Sequence, residues 1–186
     1  MIRCKKQAFE GEKGRIVIGS GRSSGGLEPG SGLWLYFDAG AVCHRAIVAR
    51  QLETAGLLAG HIPKIGAASS VGGHAVPDYE LLLDGLSFDG FVYAPPVRGA
   101  PEYHAQSGQF SAGELDARCA LLIAPGSHLD GAPRSLPVVR GQWRLAARLC
   151  EALPQITIAG WPPSGTLLAA HVFFACATGW TAGAPF

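Results

Sequence analysis

Between Cys119 and Trp161 the chain switches from a strand-like apolar run to helical spacing and back. Cys119-Ala-Leu-Leu-Ile-Ala124 is apolar throughout, Pro125 to Gly131 is a tight polar loop, a helical run extends to Leu153, and Gln155 to Gly160 is apolar again. Within the helical run Val139, Trp143, Ala146, Cys150 and Leu153 recur at three- and four-residue spacing, with Arg140, Arg144 and Arg148 on the other side. That is the periodicity of an amphipathic helix. Strand, crossover helix, strand is the pattern of a βαβ unit, and apolar runs this continuous suit strands covered on both faces. The expected fold is therefore a single three-layer domain, α/β or α+β, with a mixed, partly parallel sheet and covering helices.

The rest of the chain adds elements to this unit. Arg15-Ile-Val-Ile18 reads as a short strand and Leu33-Trp-Leu-Tyr-Phe37 as a longer one, by its aromatic and branched content. Asp38 stands where a helix N-cap belongs, Ala41, Val48, Leu52 and Ala55 line one face of the following helix, and Gly56 would close it. Residues 58–79 are rich in Gly, Ala, Ser and Pro and predict a long loop; Tyr79 to Leu83 predicts a turn of helix. In Leu86 to Tyr93, Asp89-Gly90 between apolar residues is a hairpin signal. Residues 94–113 read as another loop, and connections of that length tend to serve a function. Pro162 and Pro163 stop the last strand, and a final helix is predicted from Leu167 to Thr178. Residues 1–32 form a basic arm with a short strand and a Gly/Ser loop, and residues 33–186 the single α/β domain.

Composition narrows the class. The chain has 186 residues, 48% hydrophobic and 16% charged, enough for one folded core and unlike a disordered chain. Net charge is +1, with six Lys or Arg against three acids in residues 1–28. So small a charge gives no reason to expect a nucleic-acid or membrane partner. Five scattered cysteines, with no CxxC pair, read as small core residues of a reduced protein and not as a zinc site. Met1-Ile-Arg-Cys-Lys-Lys6 lacks the apolar core of a secretion signal, so a cytoplasmic location is expected.

If the strands ending at Phe37, Ala124 and Gly160 were parallel neighbours, their following loops would converge at one sheet edge, where open α/β sheets bind ligands. That edge would carry Asp38, Ser127, His128 and Asp130 as candidate catalytic groups, because an imidazole that takes a hydroxyl proton and a carboxylate that orients it make a nucleophilic site. Trp161, Ser164, Arg140 and Arg144 would be candidate ligand-binding residues beside them.

The string Gly126-Ser-His-Leu-Asp130 at a strand end resembles the metal-binding segment of two-metal amidohydrolases and aminopeptidases. The resemblance implies His128 as a metal ligand supported by Asp130. It covers about ten residues and departs where that family places a bridging Asp followed by Gly, for Val139-Arg140 stands there, and Glu151 stands without a second Glu beside it. No metal and no cofactor are expected. The reading that follows is a non-enzymatic interaction or accessory protein with a protein or small-molecule partner, and homo-oligomerisation left open; the alternative is a small-molecule-binding or hydrolase-like enzyme using the polar edge.

Overall fold

Leu33 to Phe37 are all buried, so this strand, β1, needs cover on both faces and a partner along each edge. In the computed structural model, which describes residues 32–41, 44–61, 70–71, 74–75, 77–97, 101–103, 105–106, 110, 112–129 and 134–183, β1 has both partners. It lies between β8 (Ala120–Pro125) and β9 (Ile156–Trp161), antiparallel to each. With β2 (Leu58–His61), β5 (Tyr79–Leu83), β6 (Leu86–Tyr93), β7 (Ala105–Gln106) and β10 (Thr166–Ala169), the sheet order is β2-β5-β6-β8-β1-β9-β10-β7. The strands β3 (Ser70–Val71) and β4 (His74–Ala75) form a separate ribbon.

The expected mixed, partly parallel sheet is overturned. From β2 across to β10 all seven strands pair antiparallel, and the parallel contact is the two-residue pairing of β7 on β10 at the edge. β8 and β9 do run in the same direction, and α3 (Leu136–Ala152) crosses between them, but β1 occupies the gap. An apolar run, a helix and a second apolar run fix the relative direction of two strands. They carry no information about a third strand inserted from elsewhere in the chain.

The layers differ from expectation as well. α1 (Arg45–Thr54), α3 and α4 (Ala170–Thr181) all pack on one face, where Val48, Leu52, Leu145, Leu149, Phe173 and Ala177 meet Leu33, Leu35, Leu121 and Ile123. The opposite face presents Trp34, Tyr36, Phe91, Leu122, Ile158 and Leu167. It is covered by the connection from β6 to β8, through Val97, Tyr103, Phe110 and Leu115, the last on the five-residue α2 (Ala112–Asp116). Two cores thus lie on the two faces of one sheet.

Local chemistry explains where sequence and structure part. Tyr79 to Leu83 is a strand with strict burial alternation, and the hairpin turn is Asp84-Gly85, both at positive φ (51° and 77°). Two positive values in succession define the type I′ turn that matches strand twist. The second Asp-Gly pair, Asp89-Gly90, lies inside β6, where Gly90 lets Leu81 and Tyr79 approach closely. Asp38 does not cap α1, which begins after His44; Gly56, at φ 65°, does close it. On α3 the buried face runs through Val138, Gln142, Leu145 and Leu149, a partial turn from the expected stripe, and Gln142 Nε2 donates to the Ile123 carbonyl at 2.8 Å. The predicted final helix divides into β10 and α4 at Ala169/Ala170. The basic arm and the strand at Arg15 to Ile18 fall outside the described residues, as do Cys4 and Cys43.

Candidate functional site

Strand direction decides the fate of the polar edge. Because β1 is antiparallel to β8 and β9, the residue after β1 lies at the end where those strands begin. Asp38 accordingly donates its backbone N–H to Gln155 O at 2.7 Å, and its exposed carboxylate stands 3.7 Å from Arg118. Arg118 in turn donates to Phe37 O and Thr157 Oγ1, both at 3.1 Å, tying three strand ends together. The sheet separates Asp38 from Ser127 and His128, which follow β8 at the other end. Asp130 falls outside the described residues.

Ser127, His128 and Leu129 form a single 3-10 turn, with Leu129 N donating to Gly126 O at 2.8 Å. His128 meets Ser87 of β6, Oγ to Nδ1 at 3.2 Å, while Gly126 N donates to Ser87 O at 3.2 Å. Gly126 has to be glycine here: a Cβ would sit 2.9 Å from Ser87 O and 3.1 Å from the His128 ring. A hydroxyl and an imidazole are thus joined at the β6–β8 edge, and the hydroxyl belongs to Ser87. The signal that pointed to Ser127 was adjacency in sequence, whereas the true neighbour comes from strand pairing.

The candidate ligand-binding residues have other partners. Arg140 spans the C-terminus of α4, donating to the carbonyls of Trp180 and Thr181 at 3.4 and 3.3 Å with its guanidinium 5.8 Å from the Trp180 ring. A cation there satisfies carbonyls that the helix leaves unbonded. Arg144 pairs with Asp84 in the hairpin turn. Trp161 joins an aromatic group centred on Trp143, whose ring lies 5.8 Å from Trp161, 5.2 Å from Phe173 and 5.2 Å from Trp180. Ser164 hydrogen-bonds Thr166 Oγ1 at 2.7 Å and the Trp161 carbonyl at 3.3 Å, closing the 3-10 turn Pro162–Ser164. These contacts join α3 to α4 and β9 to β10.

Two features were not singled out from sequence. One is the phenol pair Tyr36 and Tyr103, whose hydroxyls meet at 3.2 Å in the second core. Burial pushes Tyr36 up to about 12, against a smaller lowering by the bond from Tyr103, and pushes Tyr103 still higher. The other is α4. Ala170, Phe173 and Ala177 are its buried residues, while Val172 and Phe174 are each 37% exposed and Cys176 is exposed beside them. No Asp, Glu, Lys or Arg occurs between Ala170 and Thr181. His171 is exposed on the same helix. Burial also pushes the Cys150 thiol, on the α3 side facing the first core, up to about 12.

Among the described residues no group of three His, Cys, Asp or Glu side chains is arranged to hold a metal ion, and no helix is long and apolar enough to cross a membrane. No family model matches the chain, and no curated protein or solved structure matches it significantly.

Proposed function

We propose that the chain is a non-enzymatic interaction or accessory protein that meets a protein partner through the outward face of α4. The observation that carries this reading is the chemistry of that helix. A helix on the surface of a globular protein ordinarily turns charged residues to solvent, and one that is apolar all round is ordinarily buried. α4 is packed on one side, and its exposed side carries no charged residue: Val172, Phe174, Ala175 and Cys176 stand there, with His171 and Thr178 as its polar members. Contiguous apolar surface of this kind marks contact sites, and an aromatic ring such as Phe174 is the usual anchor.

The test is affinity capture with the wild-type chain and a Phe174→Glu chain in parallel, followed by identification of the retained protein. The expected outcome is a partner retained by the wild type and weakened at least about tenfold by the substitution, with the thermal midpoint little changed because the side chain is 37% exposed and a carboxylate there reaches water. Equal retention by both chains, or specific retention by neither, would overturn the reading.

The contact of Ser87 with His128 favours a second reading, a small-molecule-binding or hydrolase-like site at the β6–β8 edge. Thermal-shift measurements against nucleotides, sugar phosphates and amino acids address it, since a ligand that binds only the folded state raises apparent stability. A shift abolished by His128→Ala supports that reading, and a shift that persists places the ligand elsewhere.

A further inference from the structure

The sheet face that α1, α3 and α4 leave open is covered, among the described residues, by Val97, Tyr103, Phe110 and Leu115 of the connection from β6 to β8. β6 and β8 are adjacent strands, yet the connection between them passes β1, β9 and β10 to set β7 on the far edge, then returns through α2. Just before β7 the connection drops Tyr103 into the sheet. In register across four strands stand Leu122, Trp34, Gly160 and Leu167. Gly160 leaves a slot in that row, and Tyr103 fills it: a Cβ on Gly160 would lie 2.3 Å from the Tyr103 hydroxyl oxygen and 2.5 Å from Cζ. Beside the slot the Tyr36 hydroxyl meets that of Tyr103, and the two rings stand edge to face at 6.5 Å and 80°.

We infer that Tyr103 is a latch: its phenol, seated in the Gly160 slot and hydrogen-bonded to Tyr36, holds the described part of the β6–β8 connection on the second sheet face, and Val97, Tyr103 and Leu115 leave that face together while the helix-covered face stays folded. The two covers are unequal. α3 alone buries seven residues against the first face, whereas α2 has five residues in all and contributes Leu115 to the second core. Val97 N donates to Asp116 O at 3.2 Å within the described connection, whose backbone ties to the sheet are the two-residue pairing of β7 on β10 and, where it runs into β8, Phe37 N to Cys119 O at 3.0 Å. A region held by few buried contacts opens at lower free energy than the core beneath it. Release of the latch uncovers Trp34, Tyr36, Phe91 and Leu122, an aromatic floor that is otherwise fully covered.

Hydrogen exchange read by mass spectrometry tests this peptide by peptide. Tyr103→Ala removes the latch, and Gly160→Ala expels it from the other side. Each is expected to speed exchange in peptides from the described part of residues 94–116 by at least about tenfold, while α3 and α4 peptides keep their wild-type rates. In the double variant Gly160→Ala adds nothing, since the ring it would strike is gone; that non-additivity is the signature of one shared contact. Tyr103→Phe keeps the ring and loses the hydroxyl bond, so a smaller acceleration is expected from a variant that folds in any case. Unchanged exchange in the connection, acceleration of α3 and α4 to the same degree, or fully additive single effects would each overturn the inference.

Discussion

Replacing Asp78 with Ala tests how the turn into β5 is held. The carboxylate is 2% exposed and reaches different elements, among its partners Arg45 Nε at 2.8 Å at the start of α1 and the backbone N–H of Val92 at 2.8 Å in β6. Asp78 immediately precedes β5, so its side chain supplies an acceptor to Val92 where the strand ladder has ended. Loss of a hydrogen bond to a charged group, with a buried donor left behind, costs about 1.5–3 kcal/mol. The Arg45 pair adds little, about 1 kcal/mol at most, because the arginine is 51% exposed and water replaces the carboxylate. Asp78→Ala is therefore expected to cost about 3 kcal/mol. Asp78→Asn keeps an oxygen for the Val92 N–H and loses the charge, for about half of that. Urea unfolding followed by tryptophan fluorescence measures both, with an unchanged slope showing that the same surface is exposed. If Ala and Asn prove equally destabilising, the Val92 bond contributes nothing and the reasoning fails.

Two further outcomes follow from the geometry already described. Gly85→Ala places a Cβ at φ 77° in the β5–β6 turn and is expected to lower stability by about 1–2 kcal/mol in the same urea experiment; a change under about 0.3 kcal/mol would show that the turn can relax into another type. Alkaline titration at 295 nm is expected to show Tyr36 and Tyr103 ionising late. An unfolded phenol loses its proton near about 10, so between that pH and the folded value of about 12 for Tyr36 the folded state holds more protons than the unfolded one, and stability falls as pH rises. Burial pushes Tyr93 and Cys150 in the same direction. Four tyrosines titrating together near pH 10 in a chain that keeps its circular dichroism would contradict the buried phenol pair.

What could be read from the sequence was local, and what could not was pairing. Leu33 to Phe37 announces a doubly covered strand because every residue in it is apolar, and α3 announces itself by spacing. The flanking residues alone could not choose between Asp84-Gly85 and Asp89-Gly90 as hairpin turn, since both pairs are flanked by apolar residues; the Tyr79 to Leu83 alternation, read as a strand, would have settled it. The candidate catalytic group failed to assemble for a related reason. Asp38 and His128 belong together only if β1 and β8 are parallel, and that is decided by insertion of β1 between two strands far along the chain. Ser87, the actual neighbour of His128, lies in a strand whose pairing no short-range signal discloses.

The placement of β1 also bears on how the chain reaches its fold during synthesis. Its partners lie about 90 residues away in β8 and about 125 away in β9, so the central strand leaves the ribosome long before either neighbour exists. Until Trp161 has emerged, Leu33-Trp-Leu-Tyr-Phe37 is a sticky ribbon with both edges open and two apolar faces. A nascent chain of this design exposes an aggregation-prone segment throughout that interval, and the interval closes only when β8 and β9 pair with β1.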